Sequence, residues 1–519
     1  MNEQPGRLVR RVEAGLAALH ATTPIVLVSL FSTCALFILY FVPWEQNGDD
    51  LLPTLIALQK LTPYFWAQNR FANLLPAITV WISDPTSNAF TQIVLRVVSG
   101  LIAPAFFAAA VFRRSIDVWR ATLAANILFL ASGSAALLHE TFVTANPYGT
   151  SFGCAALSLL AFRRAWAWPY RDMQPLWGMA GGVMLLAAYA VNIGCILICL
   201  PFLGMTAILL PSAERMRLVV LHAAAACIGL LLPAVFAPGY ATASGFDPSF
   251  AATSQFARAI WESSGWPVLM ALVVPAVAVV LGYRFSRIRR PPPPFGAVWL
   301  AAAATALLAW LVLSASEHVR DNAFLPRYAV PCFIMLMALS GSSLWLALRL
   351  LVPARVSRDA LFILLTIPLL LGVRTHLLVT GEPTTDLIGL GKAEMARTVA
   401  ARYSAWSLDG IAGQFWDVWP SVFATEQLHH DVGWVGADVL GIAHRGAARR
   451  NTFLARMTVR GGLRVGCIDQ TLEICLATAM DMMQTPGLRA RPLATPERLG
   501  GEHSLTLIEI LPPTLSPAP

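Results

Sequence analysis

Long apolar stretches alternate with short polar ones along most of this chain, and the pattern changes near residue 380. The run from Thr23 to Val42 is about long enough to cross a bilayer as a helix, and no small-residue cleavage site follows it. Further apolar runs lie near 89–112, 121–138, 150–162, 176–191, 193–210, 218–237, 266–283, 296–314, 328–348 and 360–379. The run at 150–162 is short for a span, which fits a tilted or partly re-entrant segment. The stretch 176–210 is too long for one helix and divides at Asn192 and Gly194. These elements predict an all-α polytopic membrane domain of about 11 transmembrane helices over residues 1–379.

From 380 to 519 the apolar runs shorten while charges and glycines multiply. A helical pattern covers 391–404. Strand-like runs cover Phe453–Val459, Leu463–Ile468 and Leu505–Leu511. The expected second unit is a C-terminal soluble α/β domain.

Composition agrees with the pattern: 57% of residues are hydrophobic and 13% charged, the profile of a polytopic membrane protein. The formal charge of +8 does not call for a nucleic-acid partner, because the arginines fall on alternate loops. Arg7, Arg10 and Arg11 precede the first run. Arg113, Arg114, Arg163, Arg164, Arg215, Arg217, Arg289, Arg290 and Arg355 follow on one side, and few cations fall on the other. By the positive-inside rule the N-terminus is cytoplasmic and the tail extracytoplasmic, in a bacterial-type inner (plasma) membrane. An oxidising compartment allows a Cys467–Cys475 disulfide; two reduced, buried cysteines are the alternative. Nucleotide-phosphate loops of the Walker or G-x-G-x-x-G kind are absent, as is a G-x-S-x-G elbow.

Three polar clusters carry candidate chemistry, all in loops assigned to the outer side. The first is WEQNGDDLLPTLIALQKLTPYFWAQNRFANLLP at 44–76, where Asp49 and Asp50 follow Gly48 and precede Lys60, Arg70 and several aromatics. An acid pair can simply stabilise a helix N-terminus. At the mouth of an outward-running helix it can also serve as a base, and the segment beyond it reads as an amphipathic surface element. Of the two acids, Asp50 is the expected base and Asp49 the expected cap of a helix starting near Leu51. The second cluster holds His139, Glu140, Asn146 and Tyr148. Glu140 at a helix end is either a functional residue or a loop carboxylate in the headgroup region. The third, SASEHVRDNAFLPRYAVP, presents Glu317, His318 and Arg320, with Arg327 and Tyr328 opening an inward-running helix. Arg327 there is either a bidentate phosphate ligand or an anchor of the aromatic belt. Arg96 and Arg374 read as snorkelling residues.

An acid pair in the first outer loop, Arg-Tyr opening a late helix, and many spans before an external tail together resemble the GT-C class of integral-membrane glycosyltransferases. YFWAQNRFANLLP is similar to the segment after the first-loop acid in bacterial members. The resemblance implies a catalytic base at Asp50 or Asp49 and lipid-phosphate binding at Arg327. Tyr328, Glu140, Lys60, Arg70 and His318 complete the expected substrate site. It implies a polyprenyl-phosphate sugar donor and a cell-envelope glycan or lipid acceptor, joined by inverting single displacement. A divalent metal (Mg or Mn) on the acids and Glu140 is an open alternative to the cationic side chains. No sequon-recognising motif is matched. The competing class is a transporter or flippase of a lipid-linked solute, using the same outer charges for binding alone.

Overall fold

A computed structural model of the chain describes residues 24–39, 45–66, 71–144, 148–167, 173–236, 245–285, 294–351, 366, 389–390, 392–434, 438–500 and 503–513. Arg7, Arg10, Arg11, Arg70, Arg374, Asn146 and the apolar run 360–379 (Thr366 excepted) lie outside the described residues.

The membrane part begins with α1 (Pro24–Leu39) and continues through β1 (Glu45–Gln46), α2 (Gly48–Gln59), α3 (Leu74–Thr79), α4 (Pro85–Ile102), α5 (Ala105–Val111) and α6 (Ser115–Ser132). A short α7 (Ala135–Leu138) runs into a π-helical turn at His139–Val143. Then come α8 (Tyr148–Ala167), α9 (Gln174–Val191), α10 (Ile196–Leu209), α11 (Ala213–Phe236), α12 (Phe250–Phe285), α13 (Pro294–Ala315), α14 (Glu317–Asp321) and α15 (Val330–Leu351). Among the described residues five segments are long and apolar enough to cross a membrane: Pro85–Val111, Gln174–Val191, Ala213–Phe236, Phe295–Ala315 and Pro326–Leu350. α12 adds a sixth if its two halves, bent by 83° at Gly265, count as one span. The segment expected to be short at 150–162 is the full twenty-residue α8, because the helix runs past its apolar stretch through Arg163 and Arg164. α6 and α15 approach closely where Gly341 faces the Ala121–Ala125 backbone; a Cβ there would lie 2.3 Å from the Ala125 nitrogen.

The tail opens with β2 (Gly389–Leu390), paired in parallel with β1, and α16 (Ala393–Ala405). Then follow β3 (Gly410–Ala412), α17 (Phe415–Asp431), β4 (Leu440–Ile442), α18 (Arg450–Arg460), β5 (Leu463–Ile468), α19 (Leu472–Met483), β6 (Arg489–Pro492), β7 (Glu497–Gly500) and β8 (His503–Leu511). The sheet order is β4-β3-β5-β8-β6, with β7 also on β8. β4, β3 and β5 are parallel, joined by α17 and α18 as crossover helices, while β8 is antiparallel to β5. The expected strand at Phe453–Val459 is helix α18. Its buried residues, Phe453 and Met457, stand four apart on one helical face.

One core runs through both parts. Leu51, Leu55, Val97 and Phe142 join Val399, Trp419 and Phe423 of the tail in a single apolar cluster, while the other side of the sheet has its own cluster with Phe453, Val465 and Ile508. The tail therefore packs into the membrane part rather than hanging from it.

Cys467 and Cys475 form a disulfide between β5 and α19, Cα atoms 6.3 Å apart. Closing so short a loop contributes about 2–3 kcal/mol by restricting the unfolded chain. Thiol labelling of the folded, unreduced protein is expected to miss both cysteines, and Cys467→Ser with Cys475→Ser to lower the tail's stability by that amount. Labelling of both in the unreduced protein refutes the bond.

Candidate active site

The site is built on the first turn of α2. Asn47 caps it, its side-chain oxygen accepting from the amides of Asp49 (2.9 Å) and Asp50 (3.3 Å). The Asp50 carboxylate accepts in return from the Asn47 amide at 3.4 Å, a capping box. The expected cap role of Asp49 is therefore incorrect: the helix starts at Gly48, and Asn47 and Asp50 share its capping. Nor is α2 a surface element. Leu51, Leu52, Leu55 and Ile56 are wholly buried, and Gly48 seats the turn on the tail, where a Cβ would meet Phe415 at 2.9 Å.

The two acids face different partners. Asp50 is buried; Thr144 donates to its Oδ1 at 2.8 Å, Arg96 Nη1 lies 4.0 Å from Oδ1 and His139 Nε2 3.8 Å from Oδ2. Arg96 does not snorkel: it is buried and donates to the Val143 carbonyl at 2.6 Å, which turns the end of the π-helical segment toward Asp50. Asp49 keeps 17% of its side chain exposed and meets two guanidinium groups, Arg445 Nη2 at 3.1 Å from Oδ1 and Arg327 Nη1 at 3.6 Å from Oδ2.

Arg327 sits over the Tyr328 ring at 5.4 Å, and the Tyr328 hydroxyl pairs with His318 Nε2 at 3.2 Å. Arg445 lies between Phe65 and Phe415, 5.4 and 5.2 Å from their ring centres. Its backbone is left-handed at φ 77°, which costs a non-glycine residue about 1–3 kcal/mol where surroundings enforce it. Glu140 completes the group. Burial, and then the charge of Asp50, hold its carboxyl above the usual range, with opposing pull from His139 and Arg327. Its Oε2 has no hydrogen-bond partner among the described residues.

Of the expected residues, Asp49, Asp50, Glu140 and Arg327 converge here, with Tyr328 and His318 behind Arg327. Lys60 does not. It ends α2, about 15 Å from Asp50 along the helix, and donates to the Ala448 carbonyl at 2.7 Å. Arg96, Thr144 and Arg445 join the site although the sequence pattern does not mark them for it, and His139 joins it from the second polar cluster. Among the described residues no three His, Cys, Asp or Glu side chains gather as metal ligands, and the acids face cationic side chains instead.

Among the described residues the chain thus combines an apolar first helix, an acid-bearing turn after it, five helical segments of membrane length and an α/β tail closed over that turn. The chain is similar to a solved structure described as ArnT from Cupriavidus metallidurans bound to undecaprenyl phosphate. The TM-score is 0.50 and the identity 15%, over 92% of this chain and 97% of that one. The likeness is one of fold. No protein-family model matches the chain, and no curated protein does.

Proposed function

We propose that this chain is a membrane glycosyltransferase that moves a sugar from a polyprenyl-phosphate donor to a cell-envelope glycan or lipid on the outer face of the membrane. Asp49 is the base in this reading, and Asp50 the residue that holds the turn in place. The donor phosphate displaces Asp49 from Arg327 and Arg445, leaving the carboxylate free to take the proton of an acceptor hydroxyl. That oxygen attacks the anomeric carbon from the face opposite the phosphate. The bond from carbon to phosphate oxygen breaks, its electron pair leaves with polyprenyl phosphate, and the configuration inverts. The two guanidinium groups meet the charge that grows on the leaving phosphate.

The observation that carries this reading is the Arg327–Asp49–Arg445 arrangement. It sets one partly exposed carboxylate between two forks of phosphate-binding geometry, in a chain with the fold of a protein solved with undecaprenyl phosphate. The arginine asymmetry supports a cytoplasmic N-terminus and an external tail. Reporter fusions at residues 170, 290 and 355 are then expected to read cytoplasmic, and one after 400 external. Mass spectrometry of envelope glycans with and without the chain is expected to show one sugar lost. Release of polyprenyl phosphate should accompany transfer in vitro. An unchanged glycan profile with no phosphate release overturns the enzyme reading and favours transport.

A further inference from the structure

A second charged site lies away from the acid turn. The N-terminal end of α8 packs on Gly100 and Thr141 beside the acids. By the 1.5 Å rise per residue, Arg163 sits about 20 Å along α8 from Gly149. At that far end the α5–α6 connection, the last turn of α8 and the start of α11 enclose a cleft of ≈ 300 Å³. Arg113, Arg163, Trp166, Glu214 and Arg217 line it, and Arg215 lines the adjoining recess.

Loop arginines follow from the positive-inside rule alone, but that rule does not ask them to share a concave wall. Two of these four are fixed in place. Arg163 donates to Glu214 Oε1 at 3.1 Å and to the Phe112 carbonyl at 3.1 Å, and Arg215 donates to the Leu210 carbonyl at 2.7 Å. The other two, Arg113 and Arg217, make no ion pair among the described residues. Arg113 repels both Arg163 and Arg215. Among the described residues the cleft and its adjoining recess thus hold one carboxylate, Glu214, and four guanidinium groups, an arrangement that an anion relieves.

The neighbouring surface says which kind of anion. α11 leaves the cleft with only 28% of its apolar window buried inside the protein, and Met216 and Val220 are exposed at 58% and 61%. Trp166, stacked on Phe162 with ring centres 5.8 Å apart, stands on the rim in the manner of an interfacial aromatic. A basic pocket continuous with an uncovered apolar helix face fits an amphiphile, its charged head in the cleft and its chains along α11.

We infer that the cleft lined by Arg113, Arg163 and Arg217, with Arg215 in the recess beside it, binds the phosphate headgroup of an anionic membrane lipid. The site is separate from the acid turn, and its occupation does not depend on the proposed chemistry there.

The test is native mass spectrometry of the full chain released from nanodiscs of equal phosphatidylglycerol and phosphatidylcholine. The wild type is expected to retain phosphatidylglycerol. Arg113→Gln/Arg217→Gln is expected to lose it by about thirtyfold or more, since two charge-assisted bonds are lost. Arg113→Lys/Arg217→Lys should restore part of the retention, because a lysine keeps the charge without the planar fork. An unchanged melting temperature of the Gln variant in pure phosphatidylcholine separates lost binding from lost folding; a variant that melts early is replaced by Arg217→Gln alone. Equal retention in the Gln variants refutes the site, and so does equal retention of phosphatidylcholine. Displacement of the lipid by millimolar glycerol 1-phosphate, which has the same head and no chains, refutes the lipid source in favour of a soluble phosphate ester.

Discussion

Asp49→Asn is expected to lower sugar transfer by about 10²–10⁴-fold, the range for a general base, while the melting temperature in the same bilayer stays near wild type. Asp49 is part-exposed and does no capping work, and its amide analogue keeps one oxygen to accept from one of the two arginines. Asp50→Asn reverses the pattern. It weakens the acceptor for Thr144 and the Asn47 amide, and it leaves the buried Arg96 without its counter-charge. A loss of about 2–4 kcal/mol is expected, between that of a charged hydrogen bond and that of a broken buried pair, with activity falling only as folded protein is lost. Radiolabelled transfer and thermal unfolding on matched samples separate the two effects. Wild-type transfer by Asp49→Asn removes Asp49 from the chemistry. Lost transfer by a fully folded Asp50→Asn returns the base to Asp50.

Arg445→Ala and Arg327→Ala are each expected to cost about 10²–10³ in transfer rate, the loss seen when one charge-stabilising donor is removed. The lysine versions should keep part of the activity, because a lysine supplies the charge without the two-pronged fit. Arg445 also fills the space between Phe65 and Phe415, so Arg445→Ala loosens the tail while Arg445→Lys tests the phosphate contact with less disturbance. The kinetic signature is a larger fall in kcat than rise in KM for the lipid donor, because the charge on the leaving phosphate grows during the reaction. Full activity in both Arg445 variants would confine the tail to a packing role.

Local pattern made the acid turn, Glu140 and Arg327 visible from sequence, because each is a charge at the edge of a long apolar run. It could not reveal Arg445. That residue stands in a stretch, AHRGAARRN, with nothing to distinguish one arginine from the next, and what selects it is contact with α2 across the whole length of the chain. Arg96 misled for a related reason: an arginine inside an apolar run reaches water by snorkelling unless a buried carboxylate lies beside it. The proposed division of roles between the acids turns on one neighbour. Asn47 already supplies the cap, which releases Asp49 and draws Asp50 inward. In α18 the bulky and β-branched residues of FLARMTV suggest a strand, although Phe453 and Met457 carried a helical spacing that was there to be read.

The clasp between α2 and the tail has a bearing on biosynthesis. Gln59 donates to Glu426 and to the Val439 carbonyl, partners 367 and 380 positions downstream, and Lys60 reaches the Ala448 carbonyl 388 positions on. At roughly 5–20 residues per second, a ribosome needs about 20–80 s to travel from one side of this clasp to the other. Throughout that interval the acid turn is already made and inserted, yet it lacks the arginine and the aromatic seat that the tail brings. A nascent chain arrested just before Arg445 would thus sit in the membrane with Asp49 facing Arg327 but not its second guanidinium. With the tail external, as proposed, its delivery across the bilayer is the step that completes the proposed site, and an unfinished copy lacks half of the guanidinium pair.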